Sequence, residues 1–139
     1  MGAVPAAVVH VVDDDEGLRG LLFDLMQSAG LAVRVYADAH SFLERWQPDA
    51  PGCLLLDVCM PGMDGVALHR RLLDEHFFLP VIFLTGHGSL PMAVDAMRHG
   101  AFDFLQKPFC NETLLERVRL ALGVSVERWR TPLSPPLPD

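Results

Sequence analysis

The sequence has 139 residues, of which 50% are hydrophobic and 21% are charged, and its formal net charge is −7. This composition excludes a mainly disordered chain, and the length is that of one ordinary domain. The negative charge argues against a free-standing nucleic-acid binder, because such a protein needs a cationic face. The three cysteines form no CxxC pair, which argues against a disulfide framework or structural zinc and predicts a cytoplasmic location. The most apolar stretch, Gly2 to Val12, is too short to cross a membrane.

Five short apolar runs are predicted to be strands, and longer amphipathic segments lie between them. Several of the runs are apolar at consecutive positions, which is typical of parallel strands that are covered on both faces. In chain order the runs are Ala7–Val12, Ala32–Tyr36, Cys53–Leu56, Val81–Leu84 and Ala101–Leu105.

The segments between the runs have helical periodicity. They centre on residues 18–26, 42–46, 66–73, 91–99 and 114–122, and Asp38 is a candidate N-cap of the second segment. The alternation of strand and helix predicts an α/β fold with a central five-stranded parallel sheet and five helices. We assign residues 1–124 to one domain and the proline-rich residues 125–139 to a linker or tail.

Polar side chains lie where several of the predicted strands end. They are Asp13, Asp14 and Asp15 after the first strand, Asp57 after the third, Thr85 after the fourth and Lys107 after the fifth. Because ligands bind beyond the carboxyl ends of the strands in open α/β sheets, we expect these side chains at one edge. Clustered carboxylates suit Mg²⁺, whereas a hydroxyl and an ammonium suit phosphoryl oxygens. Taken singly, an aspartate at a strand end is often a turn former or a helix cap.

Four segments carry these residues in a fixed order: Val11–Asp15, Leu55–Gly65, Phe83–Gly88 and Phe104–Phe109. Together they resemble the motifs of the receiver domain of bacterial two-component response regulators, and the resemblance extends from about Val8 to Leu122. It implies a doubly wound, flavodoxin-like fold with the strand order 2-1-3-4-5. It also implies that residues 1–124 form a receiver domain, which is a signalling domain and not an enzyme.

The resemblance implies a phosphoryl and metal site at the strand ends. Asp57 is the implied phosphoacceptor, which takes a phosphoryl group from a phosphohistidine of a sensor histidine kinase. Asp13, Asp14 and Asp57 are implied to hold Mg²⁺ or Mn²⁺, and the backbone carbonyl of Cys59 is implied to be a further ligand. Lys107 is implied to pair with Asp57 and later with phosphoryl oxygens.

Thr85 and Phe104 form the switch that the resemblance implies. Thr85 would hydrogen-bond the new phosphoryl group, and Phe104 would then rotate inward. These movements would change the surface of the fourth helix, fifth strand and fifth helix and control an output such as transcription. The output would proceed either by homodimerisation through the fourth helix and fifth strand or by docking of another protein on that face. The resemblance also implies a cis peptide at Lys107-Pro108. For Phe104, simple packing is the alternative interpretation.

Two other functions compete with that of a phosphorylatable receiver. A pseudo-receiver that only binds proteins is the first, but all five core positions of the motif are intact here. An aspartyl phosphatase is the second, but it needs an additional acid where this chain has Cys59. We therefore expect a phosphoacceptor receiver that contacts neither nucleic acid nor membrane. Residues 85–97 are similar to those of nitrogen-fixation-type and nitrogen-control-type transcriptional regulators, which favours an output in transcription.

Overall fold

Strand and helix alternate five times in the computed structural model, which describes residues 4–86 and 89–130. The elements are β1 (Val8–Val12), α1 (Glu16–Ser28), β2 (Ala32–Tyr36), α2 (Ala39–Arg45), β3 (Gly52–Asp57), α3 (Gly65–Asp74), β4 (Val81–Thr85), α4 (Leu90–Arg98), β5 (Asp103–Gln106) and α5 (Asn111–Arg130). All strand pairs are parallel, and the sheet order is β2-β1-β3-β4-β5. The predicted fold class is therefore confirmed.

The burial of the central strands explains their continuous apolar sequence. Every residue of β3 and β4 is buried, whereas the edge strand β2 is fully buried only at Tyr36. Helices α2, α3 and α4 pack on one face of the sheet, and α1 and α5 pack on the other. A ligand site is thus expected at an edge of the sheet, where the strands end. In the ranges 4–86 and 89–130, none of the helices has the length and apolar content of a membrane-spanning segment.

Three aspartates begin helices shortly after strands. The side chains of Asp15, Asp38 and Asp64 each accept a hydrogen bond from the backbone N–H three residues later, at 2.8 to 3.1 Å. Each bond satisfies one free N–H of a first helical turn, and such a cap stabilises a helix by about 1 kcal/mol. The predicted N-cap at Asp38 is confirmed, and Asp15 is a helix cap as well.

The last helix extends further than the sequence predicted. Because α5 continues to Arg130, the prediction of a linker or tail is wrong for residues 125–130. The buried Ser125 Oγ accepts a hydrogen bond from the Gly52 N–H at 2.9 Å, and the Arg128 guanidinium lies 4.5 Å from the centroid of the Phe78 ring. Both partners are distant in sequence, so helical periodicity alone did not reveal the extension. The rest of the predicted tail, 131–139, lies outside the described ranges.

A buried histidine lies among aromatic rings between the sheet and α2. His10 is 5% exposed, and its Nδ1 lies 3.0 Å from the Tyr36 hydroxyl. The ring centroids of Tyr36, Phe42 and Trp46 lie 5.8 to 6.5 Å from that of His10. Burial, and to a lesser extent the charge of Arg34, lower the pKa of His10 from 6.5 to about 4. The folded protein therefore keeps His10 neutral at neutral pH.

The His10 contribution to the free energy of unfolding is expected to fall as the pH falls from 6.5 to 4. In this window the unfolded chain binds a proton on His10 that the folded protein does not bind, so stability rises with pH. The shift corresponds to about 3 kcal/mol. Urea unfolding of the wild type and of His10→Phe at several pH values measures the effect. The exposed His40, replaced in His40→Gln, is the control. A pH-independent difference between wild type and His10→Phe would contradict the prediction.

Candidate functional site

The parallel sheet brings the predicted site residues to its carboxyl edge. Strands β1, β3, β4 and β5 are neighbours, and Asp13, Asp57, Thr85 and Lys107 lie at or directly beyond their ends. The parallel pairing of β4 and β5 continues one residue beyond β5, as shown by the Lys107 N–H, which donates to the Thr85 carbonyl at 2.7 Å. The structure therefore places all four residues on one side of the molecule.

Three carboxylates form a compact group at this edge. One oxygen each of Asp13, Asp14 and Asp57 lies within 4.8 Å of the other two. Asp13 is fully buried and Asp57 is 7% exposed, whereas Asp14 is exposed, so the group opens to solvent on the Asp14 side. The Lys107 ammonium lies 3.2 Å from Asp13 Oδ2 and 3.7 Å from Asp57 Oδ1. Three carboxylates and one ammonium leave the group negatively charged, which suits a divalent cation with oxygen ligands.

The environment of Asp57 makes its carboxylate poorly solvated. Burial raises the pKa of Asp57 from 3.8 to about 6, the Asp13 carboxylate adds to the increase, and Lys107 opposes it. The Cys59 N–H donates to Asp57 Oδ1 at 3.3 Å, which favours the ionised form. At neutral pH Asp57 is therefore ionised but weakly hydrated, a state that favours cation binding and nucleophilic attack.

Mg²⁺ is expected to bind about ten-fold more weakly at pH 5 than at pH 7, because protons compete for a carboxylate with a pKa near 6. The measurement is an Mg²⁺ titration followed by the NMR signals of the Asp13, Asp14 and Asp15 amides. In the control Asp57→Asn, binding should be weaker and should lose most of this pH dependence. Equal dissociation constants of the wild type at the two pH values would contradict the prediction.

Thr85 contributes a buried hydroxyl to the same edge. Thr85 is fully buried, and its Oγ1 has no hydrogen-bond partner among the residues that the structure describes. An unpaired buried polar group costs about 1–3 kcal/mol. The fold thus retains at the end of β4 a donor that an oxygen of a bound ligand would satisfy. His87 and Gly88 of the same predicted motif lie outside the described ranges.

Of the two other residues predicted at the site, Cys59 contacts Asp57 through its N–H, whereas Phe104 packs against the core. The Cys59 side chain is exposed, and its backbone carbonyl stays a predicted metal ligand. Phe104 pairs with Phe83 of β4 and packs, half-buried, against the core under α2, α3 and α4. The inward rotation of its ring stays a prediction. The Lys107-Pro108 peptide is cis, as the resemblance implied.

Two residues that contact the site were not predicted to do so. Arg19 Nη1 donates a hydrogen bond to the backbone carbonyl of Asp13 at 2.8 Å. Gly65 begins α3 so close to β3 that a Cβ atom there would lie 2.2 Å from the carbonyl oxygen of Asp57. Arg19 carries a weak sequence signal, because a cation near a helix N-terminus opposes the helix dipole. For Gly65 the sequence signals are the turn-forming pair with Asp64 and its place at the end of the Leu55–Gly65 segment.

Known proteins share this sequence pattern over most of the chain. Residues 9–119 match the family described as the response regulator receiver domain. The transcriptional regulatory protein FixJ of Azorhizobium caulinodans is 44% identical over 122 residues, which are 88% of this chain and 58% of that protein. The response regulator protein TodT of Pseudomonas putida is 42% identical over 123 residues, which are 88% of this chain and 54% of that protein. The chain thus spans little more than half the length of these relatives.

Solved structures share the fold. The crystal structure of FixJ-N has a TM-score of 0.77 at 40% sequence identity and is matched over 88% of this chain and 96% of that chain. The response regulator StyR has a TM-score of 0.85 at 41% identity, over 91% of this chain and 64% of that chain. Receiver domains are signalling modules that bind Mg²⁺ at an acidic pocket. The sequence match, the fold and the acidic group together show that this chain belongs to the response regulator receiver domain family.

Proposed function

We propose that this chain is a phosphoacceptor receiver, which takes a phosphoryl group from the phosphohistidine of a sensor histidine kinase onto Asp57. The observation that carries the proposal is the group of Asp13, Asp14 and Asp57 with the Lys107 ammonium against two of them. The unpaired Thr85 hydroxyl at the same edge supports it. A pseudo-receiver that only binds proteins would need no such arrangement of charges.

The proposed transfer begins with attack of an Asp57 carboxylate oxygen on phosphorus. The bond between phosphorus and the imidazole nitrogen of the kinase breaks, and the imidazole keeps the bonding electrons and takes a proton from solvent. Phosphoryl transfer depends mainly on positioning and on neutralisation of charge. Lys107 supplies a positive charge for the phosphoryl oxygens, and Thr85 supplies a hydrogen-bond donor. Bound Mg²⁺ or Mn²⁺ would neutralise further charge on those oxygens.

The ligand set that we propose for the ion consists of oxygen atoms. The carboxylates of Asp13, Asp14 and Asp57 would hold it, and the backbone carbonyl of Cys59 would be a further ligand. The spacing of the three carboxylates fits a single small cation. The Cys59 thiol is a soft donor and is unsuited to Mg²⁺.

The proposed output is control of transcription by a cytoplasmic protein, since FixJ is named a transcriptional regulatory protein. Thr85 would bond the phosphoryl group and Phe104 would rotate inward, which would change the surface of α4, β5 and α5. On α4 the apolar residues Met92, Val94 and Met97 are 36 to 45% exposed, which supports a homodimer contact there. In this proposal the domain itself contacts neither nucleic acid nor membrane.

Incubation with acetyl phosphate and Mg²⁺, followed by intact-mass spectrometry, tests the proposed function. The gain of one phosphoryl group, dependent on Mg²⁺ and lost with EDTA, would support a phosphoacceptor. No gain at saturating Mg²⁺ would support the pseudo-receiver instead. Rapid release of many equivalents of phosphate would support a phosphatase and would also contradict the proposal.

A further inference from the structure

Arg19 contacts the acidic group through the protein backbone and not through a carboxylate. It lies in the first half of α1, is half-buried, and its Nη1 donates to the Asp13 carbonyl oxygen at 2.8 Å. In this position its positive charge opposes the dipole of α1. Its charge would also repel a cation bound to the neighbouring carboxylates. The helix dipole and a bound cation thus both oppose Arg19, whereas the acidic group without an ion attracts it. The bond to the Asp13 carbonyl gives the guanidinium a defined position beside this group.

The other polar groups of Asp13 are also held. Its N–H donates to the Tyr36 carbonyl at 3.3 Å, its Oδ1 accepts from the Asp15 N–H at 2.9 Å, and its Oδ2 accepts from Lys107 at 3.2 Å. The bond from Arg19 is thus the contact that fixes the carbonyl. That carbonyl belongs to the peptide group that joins Asp13 to Asp14. Arg19 therefore fixes the orientation of the peptide from which the exposed Asp14 carboxylate extends.

The choice of acceptor distinguishes Arg19 from Lys107. Lys107 contacts carboxylate oxygens of Asp13 and Asp57, which are the atoms that a cation would use. Arg19 bonds a carbonyl oxygen, so in this contact it orients the loop and leaves the carboxylate oxygens available. Partners that orient the ligands of a metal commonly change its affinity about 10–100-fold when they are removed.

We infer that Arg19 is a positioning residue of the cation site, which strengthens Mg²⁺ binding by holding the Asp13–Asp14 peptide although its charge repels the ion. This inference rests on the proposed function, because that proposal places Mg²⁺ on Asp13, Asp14 and Asp57. It predicts a change in Mg²⁺ affinity that is opposite to the change expected from charge repulsion alone. Loss of Arg19 should weaken Mg²⁺ binding, whereas simple relief of repulsion would strengthen it.

The test is the Mg²⁺ dissociation constant of the full chain, measured by NMR titration for wild type, Arg19→Gln and Arg19→Lys. We expect about ten-fold weaker binding for Arg19→Gln. Arg19→Lys keeps the charge but loses the planar guanidinium, and we expect a smaller weakening, about three-fold. The matched control is Arg98→Gln at the far end of α4, which removes the same charge and should bind Mg²⁺ like the wild type.

The outcomes separate the inference from the proposed function. Binding to Arg19→Gln that equals or exceeds that of the wild type would overturn the inference and leave the proposed function intact. Absence of Mg²⁺ binding to the wild type would overturn the proposed function, and the inference with it. Urea unfolding without Mg²⁺ shows that each variant is folded at the titration temperature. A purely structural role of Arg19 would lower that stability and leave the dissociation constant of the folded protein unchanged, which would also overturn the inference.

Discussion

Replacement of Asp57 by asparagine should reduce phosphorylation by acetyl phosphate and Mg²⁺ to below detection. An amide has no anionic oxygen to attack phosphorus, and the substitution also removes one of three carboxylates that would hold the ion. Intact-mass spectrometry after incubation measures the yield. The control is Asp74→Asn at the exposed end of α3, which removes the same charge and should keep the wild-type yield. Equal labelling of Asp57→Asn and the wild type would show that another residue is the acceptor.

The same variant should be more stable than the wild type at pH 7 when EDTA removes divalent ions. The folded protein raises the pKa of Asp57 from 3.8 to about 6, so folding favours the protonated form. The stability that protonation contributes is complete below pH 3.8 and is lost as the pH rises to about 6. The gain in the free energy of unfolding should be about 2–3 kcal/mol at pH 7 and close to zero at pH 3.5. Urea unfolding at the two pH values measures it. A gain at pH 3.5 as large as that at pH 7 would contradict this explanation.

Gly65→Ala should destabilise the fold and displace Asp57 at the same time. The added Cβ would lie 2.2 Å from the Asp57 carbonyl oxygen and 3.1 Å from Leu56 Cγ. Because the closest atom belongs to the backbone of β3, a side-chain rotation cannot relieve the overlap. We expect a loss of about 2–4 kcal/mol in the free energy of unfolding, as for other overpacked positions. Urea unfolding measures this loss, and Mg²⁺-dependent phosphorylation of the folded fraction should also decrease.

The matched control for this substitution lies in α1. A Cβ at Gly20 would meet no atom within 4 Å, and the residue is exposed within the helix. Gly20→Ala should therefore increase the free energy of unfolding by up to about 1 kcal/mol, the difference in helix propensity. If Gly65→Ala were as stable as Gly20→Ala, the result would contradict the close approach of α3 to the end of β3.

The fold was predictable from the sequence because its periodic signals are strong. In β3 and β4 every residue is buried, which produced the continuous apolar runs that indicate a covered parallel sheet. The proximity of Asp13, Asp57 and Thr85 was also predictable, since each follows or ends a parallel strand and the carboxyl ends of such strands lie at one edge of the sheet. The strand order itself came from the family resemblance, because periodicity alone does not distinguish neighbours in a sheet.

Other features depend on contacts between residues that are distant in sequence. In the extended part of α5, Ser125 accepts a hydrogen bond from Gly52, and Arg128 lies over the ring of Phe78. Neither contact can be inferred from the periodicity of the neighbouring sequence. The short β5 begins at Asp103, later than its apolar run suggested. The Ala101 N–H still bonds back to the Ala96 carbonyl of α4, whereas the Phe102 N–H already bonds to the Val81 carbonyl of β4. The unpaired hydroxyl of Thr85 required the packed structure as well, since a threonine in a strand is ordinarily unremarkable in sequence.

The aromatic layer around His10 determines what intrinsic fluorescence reports in this protein. Trp46 stacks on Phe42 with ring centroids 5.2 Å apart and meets Phe77 edge-on, whereas Trp129 is 38% exposed near the end of α5. Emission from Trp46 should therefore shift to longer wavelength when the packing of α2 is lost, while Trp129 already emits from a partly hydrated environment. The Trp129→Phe variant would keep Trp46 as its single tryptophan, so its emission would report the unfolding of the aromatic residues around His10.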